Sequence, residues 1–294
     1  MKYILDVDTG IDDALAIVYS LANKLDIIGI TTVFGNNIVS NVTNNTLNLL
    51  ELFNSDIPVY EGSSHATDSK EFIPNEFVYT LFGKNGLGDI KLSHKSNKQE
   101  KSAIDFIIDS AKKYKNDLTI ICSAPLTNLA NAYLKDKAIK DINVVSMSGA
   151  YKHPGNITND AEANIYKDIK AAKIVYDNFN VTSLPLDVTT KVSFSLKDIE
   201  KLNTLNNRQA KVLYSLFTRL LKYETTPHDV LTIEAIIHKE AFKHICTSIS
   251  INNDGKMIEK HGNNTNVCLD IDNNFKERFV NNIYKYLITY EKQL

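Results

Sequence analysis

Arginine is nearly missing from this chain. Its 294 residues include only Arg208, Arg219 and Arg278, and every other basic residue among the 33 is lysine. Planar, bidentate phosphate clamps are built from arginine, so a phosphate-rich substrate is disfavoured. Cysteine is as scarce. Cys122, Cys246 and Cys268 are odd in number, widely spaced and outside any metal-ligand pattern, which leaves buried thiols of a reducing compartment as their expected role. Neither sign of charge dominates: 33 Lys and Arg face 35 Asp and Glu, for a net charge of -2. Nucleic acid and membrane surfaces are therefore not expected partners. Uninterrupted apolar runs are missing too. Asp6 and Asp8 break the N-terminal one, so no signal peptide is expected. The longest, residues 14–30, is interrupted by Asn23, Lys24 and Asp26, so no membrane span is expected. A cytoplasmic location is the expectation. What the chain does hold is 43% hydrophobic residues, enough for a sizeable core, with no repeat, low-complexity tract or linker to divide it.

The chain is organised around residues 3–19, YILDVDTGIDDALAIVY, which pack Asp6, Asp8, Asp12 and Asp13 into one short segment. An apolar strand pattern (Tyr3, Ile4, Leu5, Val7) precedes them and an apolar helix pattern (Ala14, Leu15, Ile17, Val18, Leu21) follows, with Gly10 at the turn between. The acids thus fall at the C-terminal end of a first strand and the first turn of a first helix, where open α/β sheets bind ligands. Crowded carboxylates repel one another unless a cation or shared protons offset the repulsion. An oxygen-lined site for a hard divalent cation is one reading. The other is that Asp12 and Asp13 merely favour the helix dipole while Asp8 is solvated.

Further strands are predicted at 27–33, 57–60, 118–122, 142–147, 181–186, 246–251 and 266–271. Helices are predicted at 40–53, from an N-cap at Ser102 to 114, from Pro125, and at 161–178, 196–202, 208–223 and 229–238, with a last one from 274. Residues 61–100 read as mostly irregular. Strands alternating with helices predict an α/β fold: an open, mostly parallel, Rossmann-like sheet covered by helices on both faces, with a more helical C-terminal part. Residues 1–294 read as one domain.

Polar residues recur just past the predicted strands: Asp8, Asp12 and Asp13; Asn36; Ser123 with Ala124-Pro125-Leu126-Thr127-Asn128; Asn156, Glu162 and Asn164. Each alone has a plain explanation, a turn for Asn36, a loop for Asn156, a surface acid at a helix start for Glu162. Parallel strands bring these ends to one edge, and their recurrence there favours function. His228-Asp229, after Pro227, opens a late helix. Asp229 is a simple N-cap by itself, and beside His228 it also suits a proton donor next to a metal ligand.

Two families resemble the opening. Asp6-Val7-Asp8-Thr9 resembles the first motif of haloacid-dehalogenase-like phosphatases, which implies Asp6 as nucleophile. That reading also needs a downstream lysine and an acidic Gly-Asp motif. Gly88-Asp89 matches the latter only in part, and Asp12 and Asp13 stay unexplained. The fuller resemblance is to the inosine–uridine-preferring nucleoside hydrolases. Their signature D-x-D-x-G-x-D-D-A is met by Asp6, Asp8, Gly10, Asp12, Asp13 and Ala14. In order come Gly35-Asn36, Pro125-Leu126-Thr127-Asn128, Gly155-Asn156, Ala161-Glu162-Ala163-Asn164-Ile165 with Asp168, Leu186-Asp187-Val188-Thr189 and His228-Asp229. The resemblance implies hydrolysis of the N-glycosidic bond of a small-molecule ribonucleoside, in nucleoside salvage, giving ribose and a free base. It implies Ca2+ held by Asp8, Asp13, Asp229 and the Ser123 carbonyl, with Asp8 as general base toward the attacking water and His228 as acid toward the leaving base. It implies ribose contacts from Asp12, Asn36, Asn156, Glu162 and Asn164, and a homodimer or homotetramer. Phe82 stands where relatives commonly carry histidine; it and Tyr223 are the candidate base contacts. A protein that binds nucleosides without turning them over is the remaining alternative.

Overall fold

The β-branched apolar runs pair side by side. A computed structural model describes residues 1–291, and its strands are β1 (Lys2–Val7), β2 (Ile27–Thr32), β3 (Val59–Glu61), β4 (Leu118–Cys122), β5 (Asn143–Ser146), β6 (Asn180–Ser183), β7 (Phe242–Ile251) and β8 (Met257–Ile271). They form one eight-stranded sheet in the order β3-β2-β1-β4-β5-β6-β8-β7. Every neighbouring pair is parallel except β7 with β8. The helices are α1 (Ile11–Ala22), α2 (Val39–Leu52), α3 (Glu76–Phe82), α4 (Ala103–Tyr114), α5 (Thr127–Lys135), α6 (Ala163–Lys167), α7 (Ile169–Asn178), α8 (Leu186–Thr189), α9 (Leu196–Ile199), α10 (Arg208–Leu220), α11 (Val230–Ile237) and α12 (Phe275–Glu291). None among the described residues is long and apolar enough to cross a membrane.

Alternation along the strands sends side chains into two cores, because successive Cβ atoms point to opposite faces. Leu5, Val7 and Ile121 join the core under α1, α2, α10, α11 and α12. Ile4, Leu118, Ile120 and Cys122 join the core under α4, α5 and α7. Strand order runs one way from β1 through β2 to β3 and the other way from β4 through β5 to β6. The reversal lies between β1 and β4, and ligands bind outside the strand C-termini at such a switch point. Asp6 pairs with Cys122 across it, so Asp8 and Ser123 leave the sheet side by side.

Several elements differ from their predicted form. The helix predicted at 161–178 is two, α6 and α7, broken at Asp168 with φ -152° and ψ 79°. Asp168 caps α7 through Ala171 N (3.0 Å) and also accepts from Thr67 N, Thr67 Oγ1 and Thr127 Oγ1, each at 2.8 Å. Pro125 precedes its helix, which begins at Thr127, because the backbone continues along the strand direction as far as Ser123 N, held by Asp6 O at 3.0 Å. The strand at 181–186 ends at Ser183, and Asp187 lies in α8. Residues 61–100 contain α3, with Asn75 capping Val78 N at 3.0 Å. The two last strands are longer than predicted and form an edge hairpin. Its exposed polar positions (Lys243, His244, Glu259, Lys260) hid the strand pattern, as charged edge strands do. Cys246 lies on that hairpin and is exposed, unlike Cys122 and Cys268.

Candidate active site

The turn after β1 delivers the acids. Gly10 caps α1, its N–H donating to Asp13 Oδ2 at 3.0 Å, while a Cβ at this position would come within 2.8 Å of Asn36 Nδ2 and 3.0 Å of the Phe82 ring. Gly35 is needed for closeness too: a Cβ there would lie 2.0 Å from Asp8 Oδ2. Asp8 (1% exposed) and Asp13 (0%) are buried beneath the sheet edge. Asn36 bridges them, its Nδ2 donating to Asp8 Oδ1 (3.1 Å) and to Asp13 Oδ2 (3.3 Å). Ser123 Oγ donates to Asp13 Oδ1 at 2.7 Å. Asp229, at the start of α11, is also buried and makes no capping hydrogen bond among the described residues. Its side chain joins the acids instead: carboxylate oxygens of Asp12, Asp13 and Asp229 all lie within 4.8 Å of one another. The two helices are tied together by Tyr19 of α1, whose hydroxyl donates to Glu234 of α11 at 2.7 Å, with Arg278 of α12 donating to the same carboxylate.

This crowding has an electrostatic cost. Burial, and then the charges of the neighbouring acids, hold Asp13 and Asp229 well above the usual carboxylate range. Burial likewise raises Asp8, with Lys167 pulling against it, and Asp12, with His228 pulling against it. Asp12 Oδ1 is buried and has no hydrogen-bond partner among the described residues. Buried polar atoms are rarely left orphaned. An unsatisfied carboxylate oxygen among crowded acids is a donor set suited to a hard cation. The residues present therefore fit a metal ion.

On the far side of the switch point, Asn164 Nδ2 donates to Ser123 O (3.1 Å) and Met147 O (3.0 Å). A carbonyl accepts twice, so Ser123 O keeps a free lone pair. Glu162 is buried rather than a surface acid, and caps α6: it accepts from Asn164 N (2.8 Å), Ile165 N (3.2 Å) and Gly149 N (2.8 Å). His228 packs against the acids with Nδ1 2.8 Å from Thr189 Oγ1 and Nε2 3.8 Å from Glu224.

Comparison with known proteins bears on the whole of this arrangement. The family model described as inosine-uridine preferring nucleoside hydrolase matches residues 3–279. The chain belongs to that family. Uridine nucleosidase 1 of Arabidopsis thaliana is 36% identical over 259 residues, covering 83% of this chain and 76% of that one. A non-specific ribonucleoside hydrolase of Salmonella paratyphi B is 32% identical over 250 residues, covering 82% and 80%. The structure of a purine-preferring ribonucleoside hydrolase from Gardnerella vaginalis superposes with a TM-score of 0.93 at 30% identity, covering 100% of both chains. The protein is an enzyme, a nucleoside hydrolase that acts on ribonucleosides, and its mostly parallel α/β sheet is the expected one.

In this nucleoside hydrolase Asp6 sits where no phosphate could reach it. It is 0% exposed, with Oδ1 accepting from Thr31 Oγ1 (2.6 Å) and Asn128 Nδ2 (2.8 Å), and burial pushes its pKa up to about 6. A nucleophile role for Asp6, and with it the phosphatase reading, is set aside. Asp8, Asp12, Asp13, Asn36, Ser123, Glu162, Asn164, His228 and Asp229 gather around the switch point. Asn156 does not hydrogen-bond with them. It is exposed, and its Oδ1 accepts from Ala163 N at 2.9 Å. Phe82 is buried at the end of α3, its ring against Gly10, and Arg219 holds this end by donating to Leu81 O and Thr80 O. Tyr223 is 54% exposed in the turn after α10. Sequence reasoning missed Lys167, whose Nζ reaches Asp8 Oδ2 at 3.3 Å. Its position three residues after Asn164, on one helical face, was the available signal. It missed Glu224 as well, which stands four residues before His228, but in a turn beyond the end of α10 rather than on a helical face.

Proposed function

We propose that the enzyme is a calcium-dependent ribonucleoside N-ribohydrolase working as one domain of residues 1–294. The observation that carries this reading is the acid cluster at the switch point with its orphaned Asp12 oxygen. In this reading Asp8, Asp13 and Asp229 hold the ion through carboxylates and Ser123 through its carbonyl. When bound, the ion supplies the positive charge that acidifies a water and fixes the ribose hydroxyls. Asp8 accepts the proton of the water that attacks the anomeric carbon. Asn36, whose Nδ2 donates to both Asp8 and Asp13, holds one oxygen of each carboxylate in place. Asp12, Asn156, Glu162 and Asn164 bind ribose hydroxyls. The buried carboxylates stabilise the oxocarbenium-like charge that develops on the sugar as the bond to the base breaks. His228, oriented through Nδ1 by Thr189, donates a proton to the departing base. Phe82 and Tyr223 are the aromatic surfaces offered to that base. Assay of the purified protein with inosine, uridine, cytidine and adenosine, with and without chelator, tests the proposal. Base release that chelator stops and calcium restores is the expected result; release unaffected by chelator overturns the calcium dependence.

A further inference from the structure

Lys167 ends the five-residue helix α6, and its neighbour Tyr166 points outward, 49% exposed. The Lys167 side chain instead turns in, 17% exposed, against an Asp8 side chain that is 1% exposed. Its Nζ lies 3.3 Å from Asp8 Oδ2 and 3.4 Å from Asn36 Oδ1. The next most buried lysine in an ion pair among the described residues is Lys2, at 37%. Ordering a lysine side chain costs rotamer entropy, and desolvating its ammonium costs further free energy, so a lysine goes inward only toward a strong partner. Here that partner is a ligand of the metal reading above, on which this inference rests. The ammonium is a fixed cation set beside a site for a free one.

We propose that Lys167 is a built-in counter-cation of the metal site: it neutralises Asp8 in the metal-free enzyme and opposes metal binding, so that it sets the metal affinity. The same charge therefore acts in opposite senses on two measurable quantities. It stabilises the metal-free fold, where four carboxylates otherwise crowd together. It weakens metal binding, because a divalent ion at Asp8 meets a positive charge beside it. A lysine there only for packing would move neither quantity once its aliphatic length was kept.

The test compares wild type with Lys167→Met, which keeps length and removes charge, and with Lys167→Arg, which keeps charge. Calcium binding is measured by titration calorimetry, and thermal unfolding is followed in chelator and in calcium. The expected result is calcium binding about tenfold or more tighter in Lys167→Met, with a lower metal-free Tm and a larger calcium-induced rise, and Lys167→Arg close to wild type. Folding of Lys167→Met only in the presence of calcium also supports the proposal, as does calcium binding by Lys167→Met where wild type binds none. Should Lys167→Met fail to fold in both conditions, Lys167→Gln is read in the same way. If wild type binds calcium and the neutral variant binds it no more tightly, or melts no lower without it, the inference is overturned and the metal site stands. If neither binds a divalent ion, the metal reading falls and the inference with it.

Discussion

Replacing Asp13 by asparagine separates fold stability from ion binding. The amide keeps the shape of the carboxylate, and the local hydrogen bonds survive it. An asparagine Oδ1 accepts from Gly10 N and Asn36 Nδ2, where Asp13 Oδ2 now does at 3.0 and 3.3 Å, and its Nδ2 donates to Ser123 Oγ, now 2.7 Å from Asp13 Oδ1. What disappears is one buried negative charge with Asp12 and Asp229 oxygens inside 4.8 Å. At an effective dielectric of about 20, each such neighbour, if ionised, repels by roughly 3.5 kcal/mol. Proton uptake caps the sum, since protonating a carboxylate at neutral pH costs about 4 kcal/mol. Asp13→Asn should therefore stabilise the metal-free enzyme by about 2–4 kcal/mol, a Tm rise of roughly 5–10 °C for a chain of this size. The same change removes an anionic ligand from a divalent ion and should weaken calcium binding by about 100-fold or more. Calcium stabilisation scales with the logarithm of ligand concentration over Kd, so the calcium-induced rise should nearly vanish. Scanning calorimetry in chelator and in millimolar calcium reads both effects. A variant that melts below wild type in chelator, or that keeps the wild-type calcium-induced rise, would refute the claim that these acids are held together for a cation at the expense of stability.

Asp8→Asn should lower base release by about a thousandfold or more, by removing general base and metal ligand together, with circular dichroism unchanged; turnover near wild type would remove Asp8 from the mechanism. His228→Gln should cost about 100-fold or more in kcat while leaving the calcium-induced Tm rise intact, and a lost Tm rise would instead make His228 part of the metal site. Asp6 and the cluster acids are raised in the folded state, so the folded metal-free enzyme binds protons more readily than the unfolded chain. Its stability should rise as pH falls from 7 toward 4; Asp6 alone, held at about 6 rather than 3.8, accounts for about 3 kcal/mol. Calcium affinity should fall over the same range, because each ligand must first lose its proton. Chelator melts that fall on acidification between pH 7 and 5 would contradict the first statement, and pH-independent calcium titrations the second.

Local chemistry made much of the fold legible. Residues 118–122 form the predicted strand to the residue, and Ser102 caps α4 as predicted, with its Oγ accepting from Asp105 N at 3.1 Å. A buried parallel strand and an N-cap each write their requirement into a few adjacent residues. Where a requirement came from elsewhere in the chain, the reading failed. The break at Asp168 depends on Thr67 and Thr127, far away in sequence. The edge hairpin β7–β8 is held by backbone pairing that its polar, outward side chains do not report.

The candidate site divides along the same line. The sequence by itself determined which acids and amides this protein has, their order, and that strand ends carry them, since those are properties of short segments. Only the tertiary structure decided their company. It set Asp229 among Asp12 and Asp13 rather than on its own helix end. It buried Asp6 beneath them, out of reach. It left Asn156 at the surface and brought Lys167 onto Asp8 across 159 residues of chain. Electrostatic and hydrogen-bonding partners are chosen by distance in space, and distance in space belongs to the assembled sheet.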